Sequence, residues 1–303
     1  MDITNPTCSL YWTFVHMWSC VNSRSFYYLA PGRRAAPSDS SEAMALAPGM
    51  DLFNHADSRH SGVRVHFSKD GYQVTAERNY DVGEEVLLSY GVHTNDVLWT
   101  EYGFLLDGNA DDAVQIDSFV VLQEQRYNNK KGREEIDHEA HAEGGTGKRA
   151  PIDILADAGY LGDFWLKQQQ QQEGEEDDND VEGVCYRTEI AAWWKVLSQR
   201  DLEKVLQGVW YPSPGNRVYA RHKAQIRQWL AEIAGECEGC IKALKDMSSE
   251  QRIEIFGDSE EVMVAQGVSM RSIVDVQAKR VEYRHALCLR RWEQIRELSV
   301  RSV

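Results

Sequence analysis

The chain has 303 residues, 42% of them hydrophobic, which predicts a folded protein with one large or two ordinary domains. Its net charge is −15, but the run at 173–182 holds seven acidic residues and no base, which leaves −8 for the rest of the chain. This balance argues against nucleic acid as a partner, since phosphate contacts need clustered Lys and Arg, and no run approaches the roughly 18 apolar residues of a membrane span.

The first half of the chain predicts a helix followed by short strands. Residues 9–26 predict the helix, because apolar residues recur there at helical spacing. A loop rich in Pro, Arg and Ser follows at 31–41. Alternating patterns at 63–67 and 72–76 flank a Lys-Asp-Gly turn and predict a β-hairpin, and 85–90 predicts a further strand. The apolar residues of the helix are Leu10, Phe14, Met17, Trp18 and Val21.

The second half of the chain predicts helices. A breaker cluster at 212–215 precedes one long apolar stripe, and a second stripe runs through 281–295. Polar insertions near 128–149 and 168–183 are predicted to be disordered spacers. The first stripe consists of Ile226, Leu230, Ile233, Cys237, Ile241 and Leu244.

Cysteine and histidine positions give little support for a metal site. Six cysteines are scattered along a chain without a recognisable export signal, so we expect free thiols in an intracellular compartment, cytoplasmic or nuclear. Cys237 and Cys240 form a lone C-x-x-C, for which small buried residues on a helix are favoured over a metal or redox site. A second candidate has loose ligand spacing, and we predict no metal. Its members are His55, Asp57, His60 and His66.

The stretch GMDLFNHADSRH at 49–60 changes abruptly from apolar to polar at Asn54 and His55. Burying these two groups without partners would cost on the order of 1–3 kcal/mol each. Either Asn54 caps a turn while His55 packs in a core, or a polar ligand meets both.

Four motifs in this order resemble the second half of a SET domain, in the branch typified by the Rubisco large-subunit lysine methyltransferase. The resemblance implies an α+β fold, with part of a SET domain and its knot-like chain crossing at 1–106. It also implies an all-helical substrate-binding domain at 107–303. The motifs are NSRSF at 22–26, MDLFNH at 50–55, GEEVLLSYG at 83–91 and NDVLWTEYGF at 95–104.

The resemblance implies S-adenosylmethionine as the cofactor. Asn54 would bind its amino-acid end, backbone near His55 would contact its adenine, and Phe104 would cover the adenine. Arg24 and Asp51 would line the pocket that receives the substrate side chain and the cofactor carboxylate. Each of these residues also has a purely structural alternative. Arg24 could be a cation that satisfies the carbonyls at the C-terminus of a helix, Asp51 could form a turn, and Phe104 could pack in an aromatic core.

Tyr90 is the predicted catalytic residue, and Tyr102 would narrow the acceptor channel. Methyl transfer from a sulfonium to an amine creates no oxyanion, so alignment and a neutral amine matter most. A tyrosine hydroxyl stays protonated near neutral pH and orients the amine without adding charge. The alternatives are an edge-strand tyrosine for Tyr90 and a core aromatic for Tyr102.

The chain departs from the SET pattern near its start. A complete SET domain begins upstream with strands and a Gly-rich turn, whereas the G-x-G here, Gly145 to Gly147, falls in a polar insertion. We therefore expect the N-terminal part of the SET domain to be missing, with open sheet edges and an exposed apolar face.

The predicted function is S-adenosylmethionine-dependent methylation of lysine in a protein substrate by a monomer. A histidine acceptor stays open, and the truncated chain need not be active by itself. The alternative is a non-catalytic interaction module derived from such an enzyme.

Overall fold

The computed structural model describes residues 9–28, 43–68, 70–123, 151–167, 183–258 and 273–301. The chain forms two compact units. The first combines Met1–Asp111 with Ala243–Arg291, and the second combines Asp112–Lys242 with Trp292–Val303. The assignment of 107–303 as a substrate-binding domain stays a prediction.

The first unit confirms the predicted α+β class, since it mixes helices with short antiparallel strands. The predicted hairpin is present in full: β3 pairs with β4, and Val65 lies opposite Val74. Gly71 opens β4 with a φ of 120°, which a residue with a side chain rarely adopts. The elements of this unit before residue 80 are α1 Ser9–Arg24, β1 Ser25–Tyr27, β2 Met44–Leu46, β3 Val63–Ser68 and β4 Gly71–Ala76.

The apolar stripe of α1 lies on the outside of the described structure. The five residues that predicted the helix are each between 45% and 58% exposed. A contiguous apolar face of this kind marks a contact surface or an aggregation hazard. The helix ends at Arg24 rather than Phe26, because the chain pairs as β1 with β2 from Ser25 onward.

The prediction of a strand at 85–90 is wrong, because the structure has no strand there. Within the described residues this segment forms one isolated parallel bridge, between Leu88 and His55. The N–H of Leu88 donates to the carbonyl of Asn54 at 2.9 Å, and the N–H of Ala56 donates to the carbonyl of Leu88 at 3.0 Å. Alternation alone cannot make a strand, because the ladder needs a partner that continues on both sides.

The second unit is mainly helical and has an aromatic core. Its strands β5 Ala113–Gln115 and β6 Trp165–Lys167 pair antiparallel. Every residue of the predicted first stripe is buried, as are Phe164 and Trp193, and the helix that carries the stripe begins at Arg217, just after the breaker cluster. The helices after residue 150 are α2 Pro151–Asp157, α3 Tyr186–Trp193, α4 Gln199–Leu206, α5 Arg217–Lys245, α6 Ser249–Phe256 and α7 Ile273–Arg301; α6 and the part of α7 up to Arg291 belong to the first unit.

The predicted insertion at 128–149 lies outside the described residues, and so does that at 168–183 apart from Gly183. In the part of the chain that is described, no helix is both long and apolar enough to span a bilayer.

Candidate active site

The candidate site lies in the first unit, where the segments around His55 and Tyr90 run side by side. The backbone N–H of Tyr90 donates to Nδ1 of His55 at 3.1 Å, and the centroids of the two rings are 5.0 Å apart. The structure therefore brings the predicted histidine and the predicted catalytic tyrosine together. Their roles stay predictions.

His55 is a buried, neutral imidazole with one unsatisfied nitrogen. The residue is 7% exposed. Burial lowers its pKa, the neighbouring His93 lowers it further, and Asp57 and Asp111 act in the opposite direction. Because Nδ1 accepts a hydrogen bond from the backbone, the proton of the neutral ring lies on Nε2. Nε2 is buried and has no hydrogen-bond partner among the described residues.

Tyr90 is held by its own hydroxyl group. The phenol donates a hydrogen bond to the carbonyl of Phe53 at 2.6 Å, and burial raises the pKa of Tyr90. The ring centroids of Tyr102 and Tyr90 are 5.2 Å apart, and those of Phe104 and His55 are 6.0 Å apart. The site is thus a cluster of aromatic rings in which the phenol of Tyr90 is held by a hydrogen bond.

Asn54 lies at the exposed margin of this cluster. Its side-chain nitrogen donates to a carboxylate oxygen of Glu85 at 2.5 Å. The turn-capping alternative for Asn54 therefore does not describe its side chain, which reaches across to the neighbouring segment. Sequence analysis assigned no role to Glu85.

Arg24 and Asp51 form an ion pair close to the phenol of Tyr90. The guanidinium of Arg24 donates to the backbone carbonyl of Asp51 at 2.9 Å and lies 3.5 Å from its carboxylate. Arg24 lowers and Asp51 raises the pKa of Tyr90, which places both charges near the phenol. Asp51 also accepts from the N–H of Gly49 at 3.0 Å, a contact that fits its turn-forming alternative, and its role in the pocket stays a prediction.

The segment that carries Tyr102 and Phe104 is braced by helix α7. Tyr283 donates to the carbonyl of Gly103 at 3.0 Å, and the buried guanidinium of Arg291 donates to Asp96 at 2.7 Å. Sequence analysis missed both residues, because nothing in the local pattern of α7 points to a segment almost 200 positions earlier in the chain.

His93 is a further residue that sequence analysis missed. Its ring lies 5.7 Å from that of Tyr102, and a Cβ added at Gly91 would approach Nε2 of His93 to 3.0 Å. Gly91 also has a φ of 136°, which a residue with a side chain rarely adopts, and a Cβ there would contact the imidazole of His93 tightly.

Comparison with known proteins finds relatives of one kind, although no protein-family model matches the chain. Ribosomal lysine N-methyltransferase set11 of Schizosaccharomyces pombe is 33% identical over an alignment of 245 residues, which covers 78% of this chain and 52% of that protein. SET domain-containing protein 4 of Homo sapiens is 33% identical over 108 residues, 35% of this chain and 24% of its own length. Ribosomal lysine N-methyltransferase 2 of Saccharomyces cerevisiae is 29% identical over an alignment of 126 residues, which covers 37% of this chain and 26% of that protein. The matches thus span about half of the first relative and about a quarter of the other two.

Proposed function

Because this chain belongs to the SET-domain protein methyltransferase family, as its motifs predicted, we propose that it methylates lysine in a protein substrate with S-adenosylmethionine as the methyl donor. Two of the relatives are named as ribosomal lysine N-methyltransferases, which supports lysine as the acceptor and a protein as the substrate. We also propose that the chain contains the knot-like crossing of SET domains and belongs to the Rubisco-methyltransferase branch. It would act as a monomer in the cytoplasm or the nucleus.

Three features of the site support this cofactor. The buried Nε2 of His55 is a donor that lacks a partner among the described residues and suits an acceptor atom of the ligand. The ring of Phe104, whose centroid lies 6.0 Å from that of His55, provides a flat apolar surface for a purine. Asn54, with Glu85 beside it, offers polar contacts for the amino-acid end.

The observation that carries the proposal is the phenol of Tyr90, fixed by the carbonyl of Phe53 at 2.6 Å. The bound cofactor supplies a methyl group on a sulfonium. Tyr90 already uses its proton, so its oxygen can only accept from the substrate amine. An amine N–H directed to this oxygen leaves the nitrogen lone pair pointing away from the phenol, which is the alignment that the transfer needs.

The aromatic walls also favour the neutral form of the amine. Tyr90 and Tyr102 are both half-buried, and burial raises the pKa of each, so neither phenol supplies an anion that would stabilise an ammonium. Removing water around a lysine lowers its pKa. Tyr90 and Tyr102 therefore position the nucleophile and exclude water at the same time.

Tyr90→Phe tests the proposal. We expect methyl transfer to a ribosomal-protein extract to fall by about 100-fold, because the amine loses its orienting acceptor, while cofactor affinity stays within about twofold. Tyr72→Phe is the matched control, since Tyr72 also donates to a backbone carbonyl, that of Tyr27, in the same unit. Full activity of Tyr90→Phe would remove Tyr90 from the mechanism. If the wild-type chain neither binds S-adenosylmethionine nor transfers a methyl group, the function proposed for this chain is wrong.

A non-catalytic interaction protein is the second candidate function. The exposed apolar face of α1 favours it, because such a face is typical of a protein–protein contact. Loss of partner binding on substitution of Trp18, in a chain that shows no methyl transfer, would support this candidate.

A further inference from the structure

The contact between Glu85 and Asn54 fixes which face of the Asn54 amide meets a ligand. An ionised carboxylate only accepts hydrogen bonds, so the amide must turn its NH₂ group toward Glu85, at 2.5 Å. Its carbonyl oxygen then points elsewhere and is left as an acceptor. The backbone pairing of Asn54 with Leu88 holds the two segments in register, so this orientation is built into the fold.

Glu85 also brings a negative charge that is not compensated locally. Among the described residues it forms no ion pair with a basic side chain, whereas the adjacent Glu84 pairs with Arg78 at 2.5 Å. Two neighbouring carboxylates therefore differ in role: one is neutralised by a guanidinium, and the other lies beside the amide at the margin of the site.

We propose that Glu85 is a specificity-determining residue that makes this end of the site selective for a cationic N–H donor, the ammonium group of the amino-acid end of the ligand. The acceptor oxygen of Asn54 and the charge of Glu85 are both complementary to an ammonium. This inference rests on the proposed function, because it concerns the amino-acid end of the same cofactor.

The test compares two neutral thioether probes that differ at this end of the molecule. S-Adenosylhomocysteine carries the ammonium and carboxylate, and 5′-methylthioadenosine carries neither. Calorimetry on the full chain with Glu85→Gln is expected to show about tenfold weaker binding of S-adenosylhomocysteine, because the charge is lost and the amide of Asn54 is free to turn. Binding of 5′-methylthioadenosine should stay unchanged, which also shows that the variant is folded. Glu84→Gln, the matched control, should alter neither affinity.

Each other outcome overturns the inference. Equal weakening of both probes would mean that Glu85 only supports the fold, and unchanged affinity for S-adenosylhomocysteine would mean that the ammonium does not meet Glu85; in both cases the proposed function stands. If the wild-type chain binds neither probe, the proposed function falls and the inference falls with it.

Discussion

Lowering the pH from 7 to 5 is expected to destabilise the second unit through one buried imidazole, that of His222. The residue is 1% exposed, and its ring stacks on that of Trp193 with the two centroids 3.7 Å apart. Nε2 lies 2.8 Å from the carbonyl of Glu189, which can only accept, so Nε2 carries the proton. Nδ1 is buried without a partner in the described part of the chain, and a second proton there would have no acceptor.

Burial lowers the pKa of His222 from 6.5 to about 4; Lys223 contributes in the same direction, and the hydrogen bond to Glu189 opposes it. Since the folded-state pKa is below that of the unfolded chain, the unfolded chain takes up the proton first as the pH falls. Stability is therefore present above pH 6.5 and is lost between 6.5 and about 4. At about 1.4 kcal/mol per pKa unit, the full loss is about 3 kcal/mol, of which about 2 kcal/mol is reached at pH 5.

Urea unfolding at pH 7 and pH 5, followed by circular dichroism, measures this loss. His222→Gln is the comparison, because its amide can still donate to the carbonyl of Glu189 but does not titrate. We expect the unfolding free energy of the wild-type chain to fall by about 2 kcal/mol more than that of the variant. The same decrease in both chains would show that other groups cause the pH dependence and that the argument from burial is wrong.

Two further predictions concern the first unit. Asp57→Asn should cost about 1–3 kcal/mol of unfolding free energy at pH 7. Burial alone would raise the pKa of Asp57, but the hydrogen bonds from the N–H of Ala110 and the ring of His60 outweigh burial and lower it. The stability that Asp57 provides is therefore present above the usual pKa of 3.8 and is lost as the pH falls. Urea titrations should show the deficit shrinking in acid, and a constant deficit would contradict this. The double substitution Phe14→Gln and Trp18→Gln should change stability by less than about 0.5 kcal/mol and reduce the fluorescence of the hydrophobic probe ANS; a loss above about 2 kcal/mol would show that the face is buried in solution.

Local patterns predicted the elements that depend on local chemistry. The hairpin of β3 and β4 is readable because alternation and a Gly-containing turn both act within 14 residues. The stripe of α5 is readable because each of its apolar residues has a core to enter. The family resemblance came from four short motifs, and the relatives confirm it.

Features that depend on distant partners were not readable. Segment 85–90 alternates like a strand, but its described partner extends only from Asn54 to Ala56, so no ladder forms. The helical spacing of apolar residues in α1 predicts one apolar face, but it cannot predict whether another element covers that face. Residues 243–291 group with the first unit, where Tyr283 and Arg291 reach Gly103 and Asp96, and no local pattern points to these distant partners.

The chemistry of His55 explains why an imidazole follows the apolar run at all. Nδ1 must keep its lone pair to accept the N–H of Tyr90, and a protonated ring would instead present a second N–H to that donor. The burial that lowers the pKa of His55 therefore also keeps Tyr90 in place. The same burial leaves Nε2 unsatisfied, at a cost of about 1–3 kcal/mol. In the proposed enzyme, a ligand acceptor at Nε2 would remove that cost. A hydrophobic residue in place of His55 would lack both the acceptor for Tyr90 and the donor for the ligand.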